Sequence, residues 1–205
     1  LPETSDKEVK MSERKASITR RTKETSIKVE VNIDGSSRYE ITTGILFFDH
    51  MLCQLAQHGI FDLKISANGP DQHHVVEDVA ITLGRAFNQA LGEKQGIVRM
   101  ADAIVPMDEA VALVALDISG RGHAIIETAI KEPVISEMHS DLVHHFFVSF
   151  AQEARINIHA WVLSGKNDHH KAEALFKALA RALDAATRID PRISSNVPST
   201  KDSID

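Results

Sequence analysis

Cysteine is almost absent. Cys53 stands alone among 205 residues, so no intrachain disulfide can form, and packing and hydrogen bonds must hold the fold. A single free thiol is compatible with a reducing compartment. Aromatic residues make up only 5% of the chain, with one Trp and one Tyr, which leaves little to stack on nucleic-acid bases. Basic charge is in deficit, the formal net charge being −6, whereas a nucleic-acid footprint ordinarily needs a basic face. No apolar run approaches the ~18 residues of a membrane helix. What remains is a globular composition, 43% hydrophobic and 25% charged, long enough to bury a core as one domain or one duplicated domain. Both ends are polar. Residues 1–15 read as a disordered extension without the apolar segment of a signal peptide, with Met11 a candidate native start. On composition alone, residues 194–201 read as a frayed terminus.

Histidine is what the chain has in excess, and its placement is patterned. His73-His74-Val75-Val76-Glu77 recurs as His169-His170-Lys171-Ala172-Glu173. Each block has a lone histidine upstream, His50 at 23 positions and His145 at 24. The surroundings repeat with it. Alternation at Ile27, Val29, Val31 and Ile33 predicts a strand over 16–33, the Asp34-Gly35 turn leads to a second strand over 39–43, and helical spacing follows from Asp49 to His58 with Gly59 at the C-cap position. A strand over 61–65 and an amphipathic helix over 73–91 complete this half. The same β-β-α-β-α order returns in strands over 109–118 and 123–129, a helix over 142–153, a strand over 157–163 and a helix over 169–187. An offset of 95 to 96 residues relates the two series, so we read an internal duplication, about 16–95 and 96–190. Such halves predict an α+β fold with both helices on one face of each sheet, able to pack helix layer to helix layer.

One His-His pair is usually surface composition. Two pairs with matched glutamates and matched upstream histidines point to metal. On a helix, neighbouring side chains diverge by about 100°, whereas i and i+4 share a face. His73 and His74 therefore diverge while Glu77 can serve either, and the same holds for His169, His170 and Glu173. Six histidines (His50, His73, His74, His145, His169, His170) and two glutamates (Glu77, Glu173) make four ligands for each of two ions. Octahedral ions would keep about two open positions each. This donor set suits Mn, Fe, Co, Ni or Zn, not Mg alone and not a cysteine-bound structural zinc. His58 reads as a helix C-terminal cation, and His123, His139 and His159 as ordinary polar positions. His144 adjoins His145, but only His145 fits the repeat offset. Arg99, Arg121 in its Ser119-Gly120-Arg121-Gly122 turn, and Lys177 on the second metal helix are candidate anion contacts.

Asp49-His50-Met51-Leu52, the two His-His-x-x-Glu blocks, Leu142-Val143-x-His145-Phe146-Phe147, Arg20-Arg21-Thr22-Lys23-Glu24-Thr25 and Pro198-Ser199-Thr200-Lys201 together resemble the imidazoleglycerol-phosphate dehydratase family, over about Ala16 to Lys201. The resemblance implies one catalytic domain over 16–201, a duplicated ribosomal protein S5 domain 2-like fold with sheets outside and helices between, and a 24-subunit shell built from trimers with active sites between subunits. It implies dehydration of D-erythro-imidazole-glycerol phosphate to imidazole-acetol phosphate in histidine biosynthesis. Two Mn(II) ions per site are implied, other divalent transition metals being compatible, with the eight residues above as ligands. Substrate contacts carried over by position are Glu24, His50, Gln54, His58, His73, Glu77, Arg99, Arg121, His169, Lys177, Ser199, Thr200 and Lys201. The phosphate falls to Arg99, Arg121, Lys177, Ser199 and Lys201, so the tail should order around substrate.

The implied route follows from the chemistry. The leaving hydroxyl has no neighbouring carbonyl, so an imidazolate held by the metals expels it through a diazafulvene-like intermediate, with Glu24, His58 and Asp108 as candidate acid–base groups. A cytoplasmic location is implied, or a plastid for a plant source. Departures from the family pattern at Leu46, Phe48, Cys53, Gln72 and His144 remove no ligand. A dinuclear metallohydrolase and a non-catalytic metal-binding shell are the alternatives. The first usually has Asp-rich ligands, and the second needs no phosphate clamp.

Overall fold

The computed structural model describes residues 13–193 and 196–204. The elements run β1 (Lys15–Arg21), β2 (Ser26–Asn32), β3 (Tyr39–Thr42), α1 (Leu46–Gly59), β4 (Asp62–Asn68) and α2 (Gln72–Leu91) in the first half. The second half holds β5 (Met100–Met107), β6 (Ala110–Asp117), β7 (His123–Glu127), a two-residue ribbon β8 (Val134–Ile135) and β9 (Met138–His139), α3 (Asp141–Ala154), β10 (Asn157–Ser164) and α4 (Asp168–Thr187). The two main sheets have identical topology, β1-β2-β4-β3 and β5-β6-β10-β7. In each, the last pair is parallel and the others antiparallel.

The duplicated β-β-α-β-α order is present, and one further strand precedes it in each half. The 16–33 stretch, which reads as one strand because no Gly or Pro marks its bend, is a hairpin of β1 and β2. Thr22 closes that bend, its Oγ1 accepting the N–H groups of Glu24 and Thr25 at 3.1 and 2.9 Å. The hairpin starts at Lys15, and Arg14 pairs with Asp34, so the predicted extension gives way to the fold just before residue 16. Its residues 1–12 lie outside the described residues. The added strand β5 alternates Ala101, Ala103 and Val105 inward, and such small residues give a weak hydrophobic signal.

Each sheet buries one face. Ile27, Val29, Val31, Leu63 and Ile65 line the first, and Ala112, Val114, Leu116, Ile158 and Ala160 the second. Helices fill the space between, α2 against α3 and α1 against α4. A run of ring contacts threads all four: Phe87 of α2 meets Phe150 of α3 at 6.0 Å, Phe146 of α3 meets Phe48 of α1 at 5.6 Å, and Phe146 meets Phe176 of α4 at 5.0 Å. Such edge and offset contacts add to the burial energy of the rings. At Gly84 an added Cβ would sit 2.8 Å from the Ala154 backbone nitrogen, so this glycine sets how closely α2 approaches α3. Gly59 has a similar role. It ends α1 as a helical residue whose Cβ would strike the Phe61 ring, while the left-handed cap falls on Ile60, φ 59°. Crowding, not a positive φ, requires that glycine.

Candidate active site

The second helix of each half starts on a side-chain cap, which fixes where its histidines emerge. Asp71 accepts the His74 N–H at 3.2 Å. Asn167 accepts the N–H groups of His169 and His170 at 2.9 and 3.3 Å. One turn on, Glu77 and Glu173 project from the same face as His73 and His169.

Two clusters form, and both cross the halves. His50 of α1 joins His169 and Glu173 of α4; His145 of α3 joins His73 and Glu77 of α2. In each, the donor atoms lie within 4.8 Å of one another. Glu173 Oε2 is 3.3 Å from both His50 Nε2 and His169 Nε2, and Glu77 Oε1 is 3.4 Å from His145 Nε2. The His73 and His145 rings stack at 4.6 Å, and Phe47 meets the His169 ring edge-on at 5.1 Å. His145 Nε2 is buried without a hydrogen-bond partner. A buried imidazole nitrogen facing a carboxylate with no hydrogen bond between them is a donor arrangement that fits a cation.

His74 and His170 turn away from these clusters. Their rings lie at 87° and 85° to those of His73 and His169. Each instead faces a carboxylate on its half's opening hairpin: His74 Nε2 is 3.6 Å from Glu24 Oε2, and His170 Nε2 is 3.7 Å from Asp108 Oδ2. Glu24 and Asp108 therefore occupy equivalent places in the two halves. His58 stands apart on α1, linked toward the first cluster through Gln54, 3.1 Å from His58 Nε2 and 3.5 Å from His50 Nδ1. Burial, then the nearby charges of Lys177 and Arg181, hold the His58 imidazole below its ordinary pKa. Burial would push the Glu173 carboxyl up, but Lys177 Nζ at 2.7 Å and His50 outweigh it and keep the group ionised below its usual range.

A cavity of about 700 Å³ collects Arg99, Ser119, Arg121, Ser199, Thr200 and Lys201. Tail residues 196–204 lie against the second half, Asn196 accepting the Gly96 N–H at 2.8 Å. Arg99 adopts a left-handed backbone, φ 77°. Its guanidinium binds Asp117 at 2.7 and 3.1 Å and the Pro198 carbonyl at 2.7 Å. Lys177 does not line this cavity; it sits with Glu173 and the Met107 sulfur.

The family model for imidazoleglycerol-phosphate dehydratase matches residues 43–183. The chain belongs to the imidazoleglycerol-phosphate dehydratase family. An imidazoleglycerol-phosphate dehydratase of Dehalococcoides mccartyi (strain ATCC BAA-2266 / KCTC 15142 / 195) is 60% identical over 191 residues, 93% of this chain and 97% of the relative. The crystal structure of the dehydratase from Staphylococcus aureus subsp. aureus N315 superposes with a TM-score of 0.80 at 32% identity, covering 86% of this chain and 99% of that one. That from Pyrococcus furiosus gives 0.79 at 38% identity, covering 91% and 99%. For this dehydratase-family chain, the matched span holds both clusters, His74, His170, Arg99, Arg121 and Asp108. Glu24 and Ser199 to Lys201 lie outside that span.

Glu109 is the site residue that sequence reasoning passed over. It reads as the start of a strand, yet it lies in the β5–β6 turn, its Oε2 2.7 Å from His170 Nδ1. The Asn167 N–H, His170 and the Lys166 N–H pull its carboxyl down to about 2, and Glu109 in turn raises the His170 imidazole above its ordinary value.

Proposed function

We propose that this chain dehydrates D-erythro-imidazole-glycerol phosphate to imidazole-acetol phosphate in histidine biosynthesis, with two Mn(II) ions in each active site. The pair of crossed His-His-Glu clusters carries this reading. His50, His169 and Glu173 would hold one ion and His73, His145 and Glu77 the other. His74 and His170, turned outward, would complete the coordination of ions held by neighbouring subunits in a 24-subunit assembly of trimers. Bound there, the metals supply Lewis acidity that favours loss of the substrate's ring N–H proton.

The chain's own groups do the rest. Glu24, on a turn beside His74, is the acid–base group that takes a carbon-bound proton and returns one to the departing hydroxyl as water. Asp108 holds the equivalent place beside His170. His58, its pKa held below the ordinary imidazole value by burial and by Lys177 and Arg181, lies behind Gln54 and is the weaker acid–base candidate on α1. Arg99, Arg121, Ser199, Thr200 and Lys201 offer charge and hydroxyl donors to the phosphate in one cavity. Lys177 acts from the metal side, through Glu173. The cytoplasm is the compartment that suits a chain with a lone thiol.

The test is turnover. Protein loaded with Mn(II) should convert imidazole-glycerol phosphate to the ketone, and chelation should reduce both turnover and particle size in sedimentation. Loaded, assembled protein without turnover would sink the reading. Lys201→Ala should raise KM with kcat nearly unchanged if Lys201 holds the phosphate equally in ground and transition states.

A further inference from the structure

We infer that Glu109 is a positioning residue: it fixes the tautomer and ring plane of His170 so that Nε2, not Nδ1, is presented for coordination. The geometry is specific. One carboxylate oxygen, Oε2, faces His170 Nδ1 at 2.7 Å. The other, Oε1, accepts the N–H groups of Lys166 and Asn167 at 3.0 and 2.7 Å. Asn167 then caps the helix that carries His170. An ionised carboxylate only accepts hydrogen bonds, so Nδ1 must carry the proton and the lone pair of the neutral ring lies on Nε2. A carboxylate behind a ligating histidine fixes its orientation and raises its basicity as a donor.

Among the described residues, the first half lacks this clamp. His74 Nδ1 lies 3.7 Å from Asp71 Oδ1, beyond hydrogen-bond reach, and that oxygen is already engaged by the His74 backbone. The two outward histidines are therefore unequal. His170 is preset for coordination, whereas His74 must lose freedom when it binds. The ion that takes His170 should be the tighter of the two.

The inference rests on the proposed role of His170 as a metal ligand, and Mn(II) titration of the full, metal-stripped protein by calorimetry separates the two. Wild type should bind in two unequal steps, with H170A losing the tighter and H74A the weaker. Glu109→Gln keeps an oxygen for the two backbone N–H groups but turns an amide NH₂ toward His170 Nδ1, favouring the wrong tautomer. It should weaken one step about 10- to 100-fold and leave the metal-free Tm near that of wild type. If H170A still binds both ions fully, the metal reading itself fails. If H170A loses a step but it is the weaker one, or if Glu109→Gln binds both ions with wild-type affinity, the positioning role fails alone. A loss of affinity in Glu109→Gln matched by a fall in metal-free Tm would make Glu109 only a loop anchor, and would also overturn it.

Discussion

The two halves share one topology and one donor pattern, yet they hold their site-bearing helices by different means. In the first half, Asp78 reaches from α2 down to the opening hairpin, binding Arg20 at 2.7 Å and the Thr25 hydroxyl. In the second, the tie runs the opposite way, from Glu109 on the hairpin up to the start of α4. The helix starts differ as well. Gln72 opens α2 and reaches across to the β8–β9 turn, donating to the Glu137 carbonyl at 2.8 Å and accepting the His139 N–H at 3.4 Å. Asp168 opens α4 in a buried pair with Lys171 at 2.6 Å, while accepting the Lys131 and Glu132 N–H groups; Lys171 also binds the Ala129 carbonyl at 2.9 Å. The position equivalent to Lys171 in the first half is Val75. The outer sheet faces diverge too. The first carries Lys28–Glu30 and Lys64–Glu40 ion pairs; the second carries a row of Ile104, Leu113 and Trp161 aligned across three strands. Duplication preserves where the donors must point and leaves the supports free to change.

The largest expected effect tests those supports. Lys171→Met leaves the Asp168 charge buried without its partner and should cost about 3–5 kcal/mol in denaturant unfolding of the metal-free protein. Gln72→Ala, its counterpart experiment, should cost only about 1 kcal/mol. Equal costs would erase the contrast. Next come the two glutamates. Glu77→Gln and Glu173→Gln should each lower turnover by about 100-fold, worth about 2.7 kcal/mol, since each is a proposed ligand in an equivalent cluster. A wide disparity would break the equivalence of the clusters. A smaller, one-sided effect belongs to the arginine-lined cavity of the second half. Arg99→Ala should raise KM by about 10-fold, the loss of one charge-assisted contact.

The smallest effect is in pH. His58 has Glu153 at its repeat position, and Glu153 binds Arg85 on the surface at 2.7 and 3.1 Å. Because the folded state holds the His58 pKa below its unfolded value, the unfolded chain takes up that proton first as pH falls. His58 therefore subtracts stability as pH drops through the imidazole range near about 6.5, and has no effect above it. His58→Gln should lose less stability than wild type between about pH 7 and pH 5.5 in metal-free unfolding.

Helices, the duplication and the divergence of adjacent histidines were legible in the sequence because each follows from periodicity alone. The hairpin over 15–32 was not, since its bend is closed by threonine hydroxyls. Which upstream histidine joins which block was not legible either. His50 meets Glu173, not Glu77, because α1 packs on α4, and the contact of helix with helix has no local signal. Lys177 shows the same limit: helical spacing correctly puts it on the Glu173 face, but only the tertiary structure separates it from the arginine-lined cavity.

The crossing of the clusters also bears on how the chain folds. His50 and Glu173 are 123 residues apart, and α4, which supplies two of that cluster's three donors, leaves the ribosome after α1, α2 and α3. Contacts of such long sequence separation form late, after the loop-closure entropy between them has been overcome. A half-made chain presents its histidines but not the set, so neither cluster can capture an ion before the helix layers have docked. On the proposed ligand set, metal uptake would report a finished fold, and a bound ion would stabilise only the state in which both halves are in place.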